Sequence, residues 1–403
     1  MAKGGVRVLG LCFLSLLHLA AAGSVYDVLR YDAEGDGRTD DTSAFLRAWD
    51  DVCADRDNPT LLIPSGATFL IKKLIFQGNC NSRVTVRIDG NIVAPEWFWT
   101  DEYVSLMAFH NVNSLTVDGD GEIDGKGKIW WDCFSRKEQK CANRPNIMSF
   151  AFCNDLTLRG IALRDSPSKH LTFFASARIS MSGLRISAPG DSPNTDGMLI
   201  AQCKHVVLSN SAIGLTWLLV AGAGDDCVAV GTNTTNVTVT NVRCGPGHGF
   251  SIGSLGGDSS PATVKRVHFL NSTLTNTTVG VRIKTWMSGG TGQVRNVLFK
   301  HINFTSVRKP IQIDQYYCPA RNCQNKTSSL TIENVQFAHL HGSSSDELAT
   351  ELLCSRYYPC RGIVMRDVHL QWNGVAPAKS ACFNVLTSKS YGRVLPSLKC
   401  VAG

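Results

Sequence analysis

The chain predicts an all-β fold, a right-handed parallel β-helix, and three observations point to it. From about residue 112 onward, short segments with alternating apolar residues recur, each followed by small or polar turn residues: "NSLTVDG" at Asn113, "NDLTLRGIAL" at Asn154, "ARISMSGLRI" at Ala177, "KHVVLSNSAI" at Lys204, and so on to "GIVMRDVHL" at Gly362. From the second segment onward their first core residues fall at Leu156, Ile179, Val206, Val237, Val267, Val297, Leu330 and Ile363, at intervals of 23 to 33 residues. A repeat of that size, made of strands with no helical periodicity between them, reads as a solenoid. A β-sandwich would instead show hairpin signals every 8 to 12 residues or so; here each unit holds two or three strands separated by bends, without a run of Asn-Gly turns. Successive coils then stack at about 4.8 Å and bury their inward residues in one long core.

The elements follow in order along the chain. Residues 1–23 carry Lys3 and Arg7, an apolar stretch from Val8 to about Leu19, and small residues from Ala20 to Gly23, the three-part layout of a secretory leader. Its core is too short to cross about 30 Å of hydrocarbon as a helix, so no membrane association is expected once it is cleaved. The segment "TSAFLRAWDDVC", Thr42 to Cys53, has the helical spacing Phe45, Trp49, Val52, and a helix there would cap the open N-terminal end of the solenoid. No linker interrupts residues 24–403, which are expected to form a single β-helix domain. At 403 residues and 43% hydrophobic composition the chain supports a large core and excludes disorder.

Cysteine and charge bound the setting. Of 15 cysteines one, Cys12, lies in the leader, leaving an even number for an oxidising compartment. Cys133/Cys141, Cys318/Cys323 and Cys354/Cys360 are close enough in sequence to close short loops. Clusters of Cys and His at zinc-ligand spacing are lacking, and no metal or cofactor is implied. Six N-x-S/T sequons (Asn233, Asn236, Asn271, Asn276, Asn303, Asn325) fit a glycosylated surface. The formal charge of +7 falls to about +5 without Lys3 and Arg7, a weak pointer to an acidic partner. No stretch interleaves many Lys/Arg with aromatics, which argues against nucleic acid.

A solenoid turns sequence spacing into spatial proximity. Five sites lie about one coil apart: "SPNTDG" (Asn194, Asp196), "GAGDDC" (Asp225, Asp226), "GPGHGFSIG" (His248), "VRIKTW" (Arg282, Lys284) and "IDQYYC" (Tyr317). Arg282 and Lys284, two apart, share a strand face. Asp-Asp pairs also occur at Asp40/Asp41 and Asp50/Asp51, so a pair alone is usually a solvated turn or helix face. What distinguishes Asp225/Asp226 is its place between the other elements. For both carboxylates to serve one site, the backbone must bend there, since adjacent strand residues point to opposite faces. Asp118, Asp120 and Asp124 lack the spacing and closing Glu of an EF-hand and read as turn chemistry.

With "YDVLRYDAEGDGRTDDTSAFLRAWDDVC" (Tyr26 to Cys53), "GEIDGKGKIWWDC" (Gly121 to Cys133) and the tripeptides NTD, GDD, GHG and RIK in that order, nearly the whole mature chain resembles plant polygalacturonases, of family 28 of the glycoside hydrolases. The resemblance implies hydrolysis of α-1,4-linked galacturonan, the acidic backbone of pectin, with inversion, in the plant cell wall; a monomer is expected because the coil already satisfies its own strands. It implies Asp225 as general acid, Asp196 and Asp226 as the pair that holds and deprotonates water, and His248 as the group that tunes the acid. Arg282 and Lys284 would grip a galacturonate carboxylate; Tyr317, with Tyr316 as its adjacent alternative, would position the sugar, and Asn194 is either a turn residue or a ligand to the site. Such chemistry requires a protonated carboxyl beneath the leaving oxygen and a base on the opposite side of the ring, and clustered carboxylates keep one proton on.

One stretch departs from the family pattern. There the strand runs almost directly into the acid pair, whereas here "LTWLLVAG", Leu215 to Gly222, intervenes; without it Asp196 and Asp225 would be 21 residues apart rather than 29. The stretch reads as a tolerated bulge with Trp217 on the outside of the coil or lining a sugar cleft, as a retained intron, or as a real insertion that leaves a pectin-binding protein without turnover. Two other enzyme readings stand beside these, a calcium-dependent pectate lyase and a rhamnogalacturonan hydrolase.

Overall fold

Alternating apolar residues bury one side of most strands, and the sheets close around that side. The computed structural model describes residues 23–214, 221–222, 224–287, 289–319, 323 and 329–401. Most of the leader, Leu215–Val220 of the inserted stretch and the Asn325 sequon lie outside them. Two long sheets of almost entirely parallel strands wind into a right-handed β-helix. One has 12 strands, one from each coil, in chain order from Leu74–Gln77 to Cys400–Val401; the other, of 21 strands, wraps the remaining sides. Among the described residues no helix is long and apolar enough to cross a membrane.

The repeat holds in register. Leu156 lies beside Ile179, Ile179 beside Val206, Val206 beside Val237, Val237 beside Val267, and Val267 beside Val297. The next partner of Val297 is Val335, which in turn meets Ile363; Leu330 pairs with Gly292. The expected alignment on Leu330 is therefore corrected to Val335. The reason is that strand Ser329–Ser344 is 16 residues long and presents buried Leu330 and Ile332 before the position equivalent to Val297.

Identical side chains at equivalent positions stack at the coil spacing. Phe109, Phe150 and Phe173 form one near-parallel column with centroids 5.1 and 5.3 Å apart. Phe269, Phe299 and Phe337 form another at 5.3 and 5.3 Å, and Phe250, from the 12-stranded sheet, stacks on its end across the core at 5.0 Å. Each ring buries a large apolar area and meets its neighbour in an offset stack. Helix Thr42–Ala54 closes the N-terminal end, with Phe45 packed on Phe69 and Trp49 on Phe76 at 5.5 and 4.6 Å. A second helix, Lys128–Ser135, which the repeat did not announce, buries Trp130 and Cys133 in a satellite cluster beside the coil.

Among the described residues six disulfides form, including the three short loops expected, together with Cys53–Cys80, Cys227–Cys244 and Cys382–Cys400. Cys153 and Cys203 stay as buried thiols. They occupy equivalent positions two coils apart with Ser176 between them, and Ser176 Oγ accepts the Cys153 amide at 2.9 Å. Two coil heights, about 10 Å, exceed the reach of a disulfide.

Candidate active site

The residues that precede each strand of the 12-stranded sheet form the site. Leu171 pairs with Met198, Met198 with Val228, and Val228 with Phe250. Continuing that register backwards by two residues sets Lys169, Asp196, Asp226 and His248 in one row on four successive coils. Backbone bonds carry the first two steps beyond the strand ends, His170 N donating to Asp196 O and Gly197 N to Asp226 O, both at 2.9 Å; at the third the bonds slip by one residue, Cys227 N donating to Gly249 O at 2.8 Å and His248 N to Asp225 O at 2.9 Å.

Asp225 stands one position before the row, in the bend that precedes strand Val228–Val230. The Asp226 amide donates to Asp225 Oδ1 at 2.8 Å, which turns both carboxylates toward the same side of the coil. The glycines are steric requirements here. A Cβ on Gly224 would meet Ser192 O at 1.8 Å, and Gly249, at φ +79°, would place one 2.1 Å from Val279 O. The preceding loop is tied in by Thr195, whose Oγ1 accepts the Gly224 amide at 2.9 Å.

The two adjacent aspartates have different partners. Asp226 is 2% exposed; its Oδ1 accepts from Ser251 Oγ at 2.7 Å and Arg282 Nη2 at 2.8 Å, and its Oδ2 from Lys284 Nζ at 2.9 Å. Arg282 and Lys284 thus clasp a carboxylate of the protein itself, a contact the sequence did not anticipate. Asp225 Oδ1 lies 2.8 Å from His248 Nδ1, and its Oδ2 accepts from Asn194 Nδ2 at 3.3 Å. Tyr317 packs edge-on against Trp286 at 5.2 Å, with Lys284 Nζ 5.3 Å from its ring centre. Tyr316 faces elsewhere and donates its hydroxyl to Cys354 O at 3.3 Å.

Sequence reading missed two supporting groups. Arg144 is buried under the loop that carries Asn194; its guanidinium donates to Asn194 Oδ1 at 2.7 Å and Pro167 O at 3.0 Å, and stacks on Phe134 at 3.9 Å. Burial pushes its pKa down to about 10. Ser251 orients Asp226 and sits in the GHG strand without any motif of its own. Neither gives a sequence signal, because each acts through a neighbouring coil.

Electrostatics separates the carboxyls. Burial, reinforced by the charges of Asp225 and Asp226, pushes Asp196 well above the ordinary carboxylate range, with Lys169 and Lys284 opposing. Burial also pushes Asp225 up, but the hydrogen bond and charge of His248, Lys284 and the Asp226 amide outweigh it and carry the group well below that range. A carboxyl whose folded pKa is raised binds more protons than the unfolded chain above the unfolded value, so it loses stability as pH rises through the folded one. Asp225, held low, acts in the opposite sense and only below that window. The thermal midpoint is therefore expected to fall as pH rises from about 4 toward neutrality. Asp196→Asn should flatten that slope; an unchanged slope would remove Asp196 as its source.

Ligand atoms of Asp225, Asp226 and His248 lie within 4.8 Å of one another, close enough on distance alone for a metal ion. Both oxygens of Asp226 already accept from fixed donors, two of them cations, and a divalent ion would sit against that positive charge. Of the acidic residues near 120, Asp118 pairs with Arg159 at 2.7 Å and Asp124 with Arg164 at 2.6 Å, buried carboxylates each held by an arginine of the next coil.

The inserted stretch rejoins the coil beside the site. Ala221 and Gly222 pair antiparallel with Pro189 and Ala188, at the end of the strand two coils N-terminal to the His248 coil. The row through Asp196, Asp226 and His248 thus keeps its register with the insertion present.

Three carboxyls, an imidazole and two cations on the outer face of a parallel β-helix define a site for acid–base chemistry on an anionic ligand. The chain belongs to the glycosyl hydrolases family 28, whose family model matches residues 53–391. It is similar to a polygalacturonase of Prunus persica, 36% identical over 378 residues and covering 93% of both chains. Polygalacturonase-2 of Solanum lycopersicum is 34% identical over 365 residues, covering 90% of this chain and 78% of its own. Among solved structures, the endo-xylogalacturonan hydrolase of Aspergillus tubingensis shares the fold with a TM-score of 0.80 at 22% identity, covering 94% of this chain and 99% of its own.

Proposed function

We propose that this chain is a polygalacturonase that hydrolyses α-1,4-galacturonosyl linkages of pectin by an inverting general acid/base mechanism. The observation that carries the reading is the contrast within one cluster: Asp196 pushed above the ordinary carboxylate range by burial and its acidic neighbours, Asp225 paired with His248, and Asp226 clasped by Arg282 and Lys284. Asp225 donates to the leaving oxygen. Its own carboxyl is held low, so the proton it passes on comes from His248 Nδ1 across their 2.8 Å contact, leaving a neutral imidazole. Asp196 takes a proton from the attacking water, which bonds to the anomeric carbon as the glycosidic C–O bond breaks. Its raised pKa makes it a stronger base than an ordinary carboxylate once deprotonated. Asp226, fixed by Arg282 and Lys284, orders the water. Arg282 and Lys284 turn their remaining donors to a galacturonate carboxylate, and Tyr317 with Trp286 supplies an aromatic wall for the ring.

The setting proposed is the plant cell wall, with residues 1–23 removed and residues 24–403 acting as a single-domain monomer. Six disulfides support export to an oxidising compartment. The test is release of reducing ends from polygalacturonic acid by the chain as written, beside a form lacking Leu215–Gly222. Activity in both makes the insertion a tolerated bulge. Activity in the shortened form alone makes the chain as written a pectin-binding protein. Unsaturated, ultraviolet-absorbing products that require calcium would replace the hydrolase reading with a lyase.

A further inference from the structure

We propose that Lys169 is a second carboxylate anchor, holding a galacturonate unit on the N-terminal side of the acid cluster, across the scissile bond from the unit beside Arg282 and Lys284. This rests on the function proposed above.

Three observations carry it. Lys169 occupies the row of Asp196, Asp226 and His248, one coil before Asp196, and its backbone is fixed from both sides. Its N–H donates to Asn146 Oδ1 at 3.1 Å, and its carbonyl accepts from Ile147 N at 3.2 Å and from Ser166 Oγ at 2.8 Å. The ring of buried His170 next to it contacts Asp196 O and Ser187 O, both at 3.0 Å, locking that corner to the Asp196 coil. The base of the lysine is thus as well positioned as the aspartates.

Its ammonium is also uncommitted. The side chain is half-buried and has no hydrogen-bond or ion-pair partner among the described residues. Every other cation along this cleft is engaged: Arg282 and Lys284 with Asp226, Lys309 with Glu351 at 2.7 Å, and Arg144 beneath the Asn194 loop. The ammonium is close enough to Asp196 to act on its charge, which places it at the mouth of the site.

The floor beside it supplies no rival. The outward residues in register on the N-terminal coils are Ala108, Ser149, Thr172, Leu199 and Ala229, all uncharged, and the first cation, Arg282, comes only after Ser251. Along that row a polyanion meets no lysine or arginine before Arg282. Two coils, about 10 Å, separate Lys169 from Asp226 along the axis, so the two anchors flank the reacting centre.

The experiment compares the wild type with Lys169→Met and Lys169→Arg on polygalacturonate and on a highly methyl-esterified pectin, with kcat and KM resolved. Loss of a charge-assisted contact predicts about a tenfold rise in KM for polygalacturonate in Lys169→Met, restored by arginine and much smaller on the esterified substrate. An unchanged KM overturns the proposal. So does a fall in kcat with a displaced pH profile on both substrates, which would make Lys169 a group acting through Asp196. If the wild type releases no reducing ends, the polygalacturonase reading fails separately, and equilibrium binding of oligogalacturonate to the same variants decides: tenfold weaker binding in Lys169→Met supports the anchor, and equal or absent binding overturns it.

Discussion

Asp225→Asn is expected to lower reducing-end release from polygalacturonate by about 10²- to 10⁴-fold, the usual contribution of a positioned general acid, while leaving the fold intact. The substitution removes the proton relay and little else. An amide at this position can still accept the Asp226 N–H that shapes the bend, bonded to Oδ1 at 2.8 Å in the native chain. It can also still meet His248 Nδ1, 2.8 Å away. What it cannot do is receive a proton from His248 and pass it to the leaving oxygen. The effect should therefore fall on kcat, with KM close to native and the thermal midpoint within a few degrees. An Asp225→Asn protein that retains a tenth or more of native kcat would move the acid role elsewhere in the cluster, and Asp196, the carboxyl whose pKa burial and its acidic neighbours raise, would be the first replacement.

Asp226→Ala should have the largest effect on stability of any single change in the site. Arg282 and Lys284, 9% and 6% exposed, both lean on this carboxylate. Removing it leaves two nearly buried cations facing each other without an anion, and breaking one side of a buried pair typically costs about 3 to 5 kcal/mol. The cations come from a strand two coils away, so the contact also braces the stack across the cleft. Denaturant unfolding should show the loss directly. Arg282→Met combined with Lys284→Met in the same background should recover much of it, because the charges that lacked a partner are then gone. Recovery only with the carboxylate restored would mean that Asp226 stabilises the bend itself and not the two cations. Activity should be absent in the single and triple variants, both of which lack the carboxylate proposed to order the water.

Much of the architecture was legible because a solenoid is nearly one-dimensional: a strand period of one coil in the sequence becomes a neighbour in space. That logic brought Asp196, Asp226 and His248 into one row and anticipated a bend at Asp225/Asp226. It slipped at Leu330, where a longer strand offered two apolar candidates for one register position. It also missed helix Lys128–Ser135, which lies in a loop outside the repeat and answers to no period. The unpaired thiols escaped for a related reason. An even count says nothing of which cysteines share a coil height, and Ser176 holds Cys153 and Cys203 apart.

The sequence by itself determined the coil, its capping helix and the order in which the candidate site residues fall on successive coils, since all of these depend on periodicity and on residue type. Only the tertiary structure decided how those residues divide their contacts. Arg282 and Lys284 reach back two coils to Asp226, Asn194 bridges Arg144 to Asp225, and half-buried Lys169 has no hydrogen-bond or ion-pair partner among the described residues. The physical reason is that side-chain partners are chosen across coils, by distances of a few ångströms between segments 20 to 60 residues apart. Those distances depend on bend geometry and burial at each level of the stack, and neither is written into the local pattern of any one repeat.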